Sequence, residues 1–138
     1  MFEMKKTVRG PVPRIPFEEI AKNVLGVQYE LSLVICGDEL ARRINRENRL
    51  PALRGEAARQ AGKKTYAPNV LSFPLEKLEG EIFLNIRKAG REAREYRTTL
   101  RARLALLFVH GLYHLKGLDH GARMERLEQT TLKTFRLL

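Results

Sequence analysis

This chain has a single cysteine, only three histidines and few acidic residues. With Cys36 alone no intramolecular disulfide forms, which excludes a disulfide-stapled secreted fold and points to a reducing compartment. Cys36 closes the apolar run YELSLVI and reads as a buried strand residue, as free cysteines usually are. The first residues, MFEMKKTVRG, contain no apolar leader segment. The longest aliphatic-aromatic run, Leu104 to Val109, is far short of the ~20 residues of a membrane span. The expectation is a soluble, cytoplasmic protein with no membrane and no disulfide-linked partner. Acidic residues number 16 against 26 Lys and Arg, a net charge of +10. That surplus predicts attraction to polyanions, and its arginines suit bidentate phosphate contacts. Charge alone does not separate RNA from DNA or an acidic membrane.

At 138 residues the chain fits one domain, 1–138, long enough to bury a real core. No internal repeat or low-complexity tract interrupts it. After Pro11, Pro13 and Pro16, helical spacing at Phe17, Ile20, Ala21 and Leu25 ends at Gly26. Val27 to Cys36 reads as a strand, and Asp38 as the N-cap of a helix over Glu39 to Arg49. Residues 50–68 mix Pro, Gly and basic residues without a period, so a long basic, mobile loop is expected there. Two short strands follow, Asn69 to Phe73 and Glu81 to Ile86. From Arg87 to Lys116 the pattern is helical, with an apolar stripe at Ala89, Ala93, Tyr96, Leu100, Leu104 and Leu107 and a break at Thr98-Thr99. Arg87, Arg91, Arg94 and Arg101 form a second stripe, either a solvated face or an RNA-facing one. A last helix spans about Ala122 to Phe135, its stripe including Met124, Leu127, Thr131 and Phe135.

All three histidines fall within HGLYHLKGLDH, His110 to His120. His110 and His114 are four apart and share one helix face, one turn apart. Gly117 offers a left-handed stop, after which a returning chain can carry His120 to a third corner. Three imidazoles leave one coordination position open, the arrangement of a catalytic zinc; nickel or copper also suits three His. The rival arrangement is three surface or capping histidines without metal. The spacing H-x-x-x-H-x-x-G-x-x-H is that of metzincin ligands, but the glutamate that acts as general base in H-E-x-x-H is replaced by Gly111. The metal-site spacing is kept while the protease base is lost.

His110 to His120, with Asn69-Val70-Leu71-Ser72-Phe73-Pro74, Gly80-Glu81 and Ile44-Asn45, resembles the YbeY family of bacterial rRNA maturation factors, zinc-dependent single-strand endoribonucleases. The resemblance covers roughly residues 28 to 135 and includes the Gly at 111. It implies an α/β (α+β) fold, a single compact domain with a mixed, four-stranded-type sheet packed on helices and a metal site at a helix end and the following turn. It implies one zinc ion held by His110, His114 and His120, and action on ribosomal RNA at the small ribosomal subunit, in 3′-end maturation and quality control. The family's functional arginine corresponds by spacing from Asn45 to Arg49, with Arg54 second. The segment from that arginine to Asn69 is longer here than in the family, and Glu81 stands where the family commonly has Asp.

Metal-assisted phosphodiester cleavage is therefore the leading expectation. The general base and the nucleophile are open: water or the RNA 2′-OH. Asp119 reads as a base, or more simply as a residue that orients an imidazole or caps a turn. Ser72 reads as a hydrogen-bond donor lining the cleft, Phe73 as a base-stacking or core residue, and Arg87, Arg91 and Arg94 as RNA contacts. Two other readings compete: a ribosome-associated RNA-binding factor with a structural metal, and a peptide-directed metzincin relative.

Overall fold

The computed structural model describes residues 1–48 and 66–138. Arg49, Arg54 and residues 50–65 of the expected loop lie outside them. At the end of that expected loop, Ala67 and Pro68 are buried, and their carbonyls accept from Lys88 Nζ (2.8 Å) and Asn85 Nδ2 (3.2 Å).

The strand expected before Cys36 is β2 (Glu30–Cys36). Leu31, Leu33 and Ile35 are buried on one side and Val34 and Cys36 on the other, so β2 is central and covered on both faces. Burial pushes the Cys36 thiol up to about 11, with the Asp38 charge adding to it. β4 (Glu79–Asn85) pairs with β2 in parallel, Leu33 opposite Ile82 and Val34 opposite Phe83. β3 (Val70–Glu76) joins β4 in an antiparallel hairpin, with Leu71 opposite Phe83 and Ser72 opposite Ile82. Pro74 is tolerated because β3 is an edge strand. β1 (Phe2–Lys6) occupies the other edge, parallel to β2, giving the order β1-β2-β4-β3. Sequence alone does not reveal β1: the Phe-Glu-Met-Lys alternation spans only four residues, and of its two apolar side chains only Phe2 is partly buried.

Four helices, α1 (Phe17–Leu25), α3 (Ile86–Glu95), α4 (Leu100–Leu115) and α5 (Ala122–Thr134), supply the apolar side chains that pack on the Leu33/Ile82 face. Phe17 meets Phe108 edge-on at 4.9 Å in that layer. α2 (Asp38–Glu47) packs on the opposite face, where Ala41, with Leu40 and Ile44, covers Val34, Cys36 and Phe83. The result is an α+β fold built on a mixed four-stranded sheet, as expected.

Three local expectations change. Asp38 is not the N-cap of α2; Gly37 is. The Asp38 carboxylate is drawn across to Arg91 Nη1 and Nη2 (2.9 and 2.8 Å) and to Asn85 Nδ2 (2.8 Å). The Arg91 guanidinium and the Asn85 amide hold its carboxyl below the usual range despite its partial burial. Ile86 begins α3 and does not end β4, because Asn85 caps the helix by accepting from Lys88 N (3.1 Å). Tyr96 leaves the apolar stripe and is 58% exposed. The stripe assumed an unbroken helix, whereas α3 ends at Glu95 and Arg97 turns left-handed (φ 54), with Thr98 N donating to Ala93 O (2.8 Å). The break itself is where Thr98-Thr99 places it: Thr99 caps α4 by accepting from Ala102 N (3.0 Å).

Asn85 joins β4, α3, Asp38 and the Pro68 carbonyl while almost fully buried. Asn85→Ala removes its bonds to Asp38, the Pro68 carbonyl and Lys88 N, leaving Asp38 to Arg91 alone, and urea unfolding should show a loss of ~2 kcal/mol with an unchanged m-value. A loss under about 0.5 kcal/mol would contradict this role.

Candidate metal centre

α4 runs antiparallel to β4, since Gly80 at the start of β4 packs against Leu115 at the end of α4. The helix lies close to β3 at Gly111. A Cβ there would meet Ser72 Oγ at 2.8 Å, Ile82 Cδ1 at 3.2 Å and Val70 Cγ2 at 3.3 Å. Ser72 Oγ donates to the Gly111 carbonyl across that gap (3.1 Å). Gly111 is therefore a packing requirement: a glutamate at this position would start into the sheet.

With Gly111 turned to the sheet, His110 and His114 face a common point, their Nε2 atoms 3.0 Å apart. The His120 ring centroid lies 4.7 Å from that of His110 and 4.6 Å from that of His114. One ligand nitrogen from each of the three comes within 4.8 Å of the others, so the three histidines could hold a metal ion. His120 arrives by the turn the glycine allows. Gly117 is left-handed (φ 99), Gly117 N donates to His114 O and Leu118 N to Tyr113 O, both at 3.0 Å, the two bonds of a Schellman stop.

The surroundings fix how the rings are protonated. His114 Nδ1 donates to Leu118 O (3.1 Å), a carbonyl brought there by the Schellman turn. His110 Nδ1 donates to Glu128 Oε2 (2.5 Å). Burial, with the charges of His120 and Arg103, lowers the His110 pKa to about 4, and burial also lowers that of His114. Both rings are thus neutral at pH 7, with the Nδ1 proton engaged and the Nε2 lone pair inward. Two lone pairs facing at 3.0 Å repel unless a cation lies against them. That donor set fits a metal, and the carboxylate behind His110 is the usual outer partner of a ligating imidazole.

Sequence reasoning missed Glu128. It is nearly buried on α5, held in place because Tyr113 and Thr131 hydrogen-bond (2.6 Å) one helical turn from the His110–Glu128 contact. Burial raises its pKa. The available signal was a charged residue lodged in the apolar stripe of the last helix, between Leu127 and Thr131. Asp119 is exposed, and the carboxylate that meets a histidine ring is Glu128.

The other candidate residues are dispersed. Phe73 packs against Phe83 (6.0 Å, 74°) in the α2 layer, the face of the sheet turned away from Ser72 and Gly111. The Ser72 hydroxyl is donated to α4. Arg87, Arg91 and Arg94 lie on α3, which begins at the carboxyl end of β4, while His110 and His114 sit on the last turns of α4 and His120 on the turn beyond it. Arg91 is paired with Asp38, Arg87 donates to Arg9 O (2.8 Å), and Arg94 is exposed.

Residues 5–136 match the family model described as Endoribonuclease YbeY. The chain belongs to the YbeY endoribonuclease family. It is 35% identical over 130 residues to the Endoribonuclease YbeY of Helicobacter pylori (strain Shi470), covering 89% of this chain and 83% of the relative. It is 36% identical over 124 residues to that of Methylobacillus flagellatus, covering 84% and 74%. The solution structure of a Thermotoga maritima protein superimposes with a TM-score of 0.61 over 99% of this chain and 92% of its own; at 20% identity it supports the fold.

Replacing Glu128 by Gln keeps an acceptor for His110 Nδ1 but removes the charge. Zinc affinity, measured by competition with a chromophoric chelator, should fall about tenfold; an unchanged affinity would exclude the carboxylate from tuning the site. Gly111→Ala should cost ~1–3 kcal/mol of stability through overpacking against β3, measured by thermal and urea unfolding of the metal-free protein.

Proposed function

We propose that this chain, acting as a single domain over residues 1–138, is a zinc-dependent endoribonuclease that cleaves single-stranded ribosomal RNA in the cytoplasm. Its place is in 3′-end maturation and quality control of the small ribosomal subunit. The observation that carries the proposal is the convergence of three imidazoles, two of them, His110 and His114, kept neutral by burial, with Glu128 behind His110. Membership of an endoribonuclease family and a net charge of +10 supply the substrate class. No helix among the described residues is long and apolar enough to cross a membrane.

His110, His114 and His120 hold the metal, which when bound supplies Lewis-acid stabilisation of phosphoryl charge and acidifies water. Glu128 and the Leu118 carbonyl keep the first two rings in the ligating tautomer. Arg49, with Arg54 as the alternative, places a guanidinium against the charge that accumulates on the phosphorus oxygens in the transition state. Ser72 fixes α4 against β3 through its bond to the Gly111 carbonyl. The family is that of a nuclease, and the backbone at Gly111 leaves no room for the glutamate a peptidase of the H-E-x-x-H type needs.

The test is cleavage of small-subunit rRNA by metal-loaded protein. His114→Ala should lose cleavage by at least about a hundredfold while keeping its far-UV CD spectrum, and chelation should do the same reversibly. Equal residual cleavage by wild type and variant would instead leave an RNA-binding factor with a structural metal. Of Arg49→Ala and Arg54→Ala, the first should lower kcat by ~10²-fold and the second should not; the opposite result moves the role to Arg54.

A further inference from the structure

A rim of cations at the carboxyl ends of the parallel strands has no part in the metal centre. The segment from Thr7 to Pro16 leaves β1, is tied to β2 by Thr7 N donating to Ile35 O (2.9 Å), and crosses the end of the sheet with Val8 over Gly37. Three cations hold this strap by its backbone. Lys6 Nζ donates to Gly10 O (2.5 Å), Arg87 Nη2 to Arg9 O (2.8 Å) and Arg101 Nε to Arg14 O (2.8 Å). A carbonyl acceptor fixes a guanidinium without cancelling its charge. The strap contains no acid and adds Arg9 and Arg14, exposed side chains that make no hydrogen bond or ion pair among the described residues.

Stability does not account for this arrangement. Arg87 and Arg101 are the second residues of α3 and α4, neither of which has an acid in its first turn, and cations at the positive end of a helix are unfavourable. Two other arginines of the same helices are neutralised: Arg91 by Asp38 at 2.8 Å and Arg103 by Glu92 at 3.0 Å. The rim cations are held in place by carbonyls and left charged.

We propose that Lys6, Arg9, Arg14, Arg87 and Arg101 form a docking surface for the phosphate backbone of RNA, separate from the stretch that reaches the histidines. This rests on the RNA-directed reading above. Arg101 commits only Nε and Arg87 only one Nη to the strap, so each keeps donors in the geometry phosphate oxygens accept. Arg101 precedes His110 on α4 by about 13 Å along the axis and roughly half a turn around it. The rim and the metal centre therefore engage different segments of one RNA, and the rim acts on affinity and not on chemistry.

The experiment measures Kd for a long single-stranded rRNA fragment against salt concentration, in a full-length His114→Ala background so that cleavage does not consume the RNA. Arg9→Ala/Arg14→Ala removes two side chains and leaves every backbone anchor of the strap intact, so folding is preserved; a matching melting curve checks this. Loss of two phosphate contacts should weaken binding about tenfold and lower the slope of log K against log salt by about 1.4. Unchanged affinity and slope would overturn the proposal while leaving the nuclease reading standing. RNA binding that depends on the rim, in a wild-type protein that does not cleave, would sink the nuclease reading and keep the docking surface. Equal binding to phosphatidylglycerol vesicles at the same salt would overturn RNA as the partner.

Discussion

The site depends on one close approach: α4 lies against β3 with no side chain on the helix at the point of contact. Gly111 makes this contact possible and the Ser72 hydroxyl closes it. Because the helix sits that low on the sheet, the turn that follows it can fold back within reach of its own last two turns. His110 and His114 then face one another beside that contact, and Glu128 of α5 meets the first ring. A side chain at 111 would lift the helix and separate these partners together.

The protein divides its polar chemistry by location. At the candidate metal centre His110 and His114 are partly buried and Glu128 is buried, and burial keeps the His110 and His114 imidazoles neutral. At the carboxyl ends of the strands, Asp38, Asn85 and Arg91 form a hydrogen-bonded node that joins α2, β4 and α3. Around that node the remaining cations stay exposed. A net charge of +10 is therefore not a uniform coat; part of it is neutralised in structural pairs and part is left outward.

Much of this was legible in the chain. The i, i+4 histidines, the left-handed Gly117 and the threonine that caps α4 follow local rules that tertiary packing did not overturn. The central strand was visible because burial on both faces leaves an unbroken apolar run ending in Cys36. Other features were illegible for equally physical reasons. β1 owes its existence to hydrogen bonds with β2 and carries almost no apolar signal of its own. Asp38 obeys the composition rule for an N-cap, yet a guanidinium from a helix 53 residues away competes successfully for its oxygens. Glu128 looks like a surface residue until α5 is laid on α4, and the direction of a Cβ at Gly111 depends on which neighbour lies beyond it.

The three histidines are not equivalent in their anchorage. His110 and His114 belong to a helix and have their Nδ1 atoms tied to Glu128 and Leu118, whereas His120 is exposed on the short segment between Gly117 (φ 99) and Gly121 (φ 156). A centre of that kind would be asymmetric: an ion held there would have two ligands fixed by a helix and one carried on a glycine-bounded turn. Changes in that turn would then bear on the third ligand while leaving the helical pair unaltered.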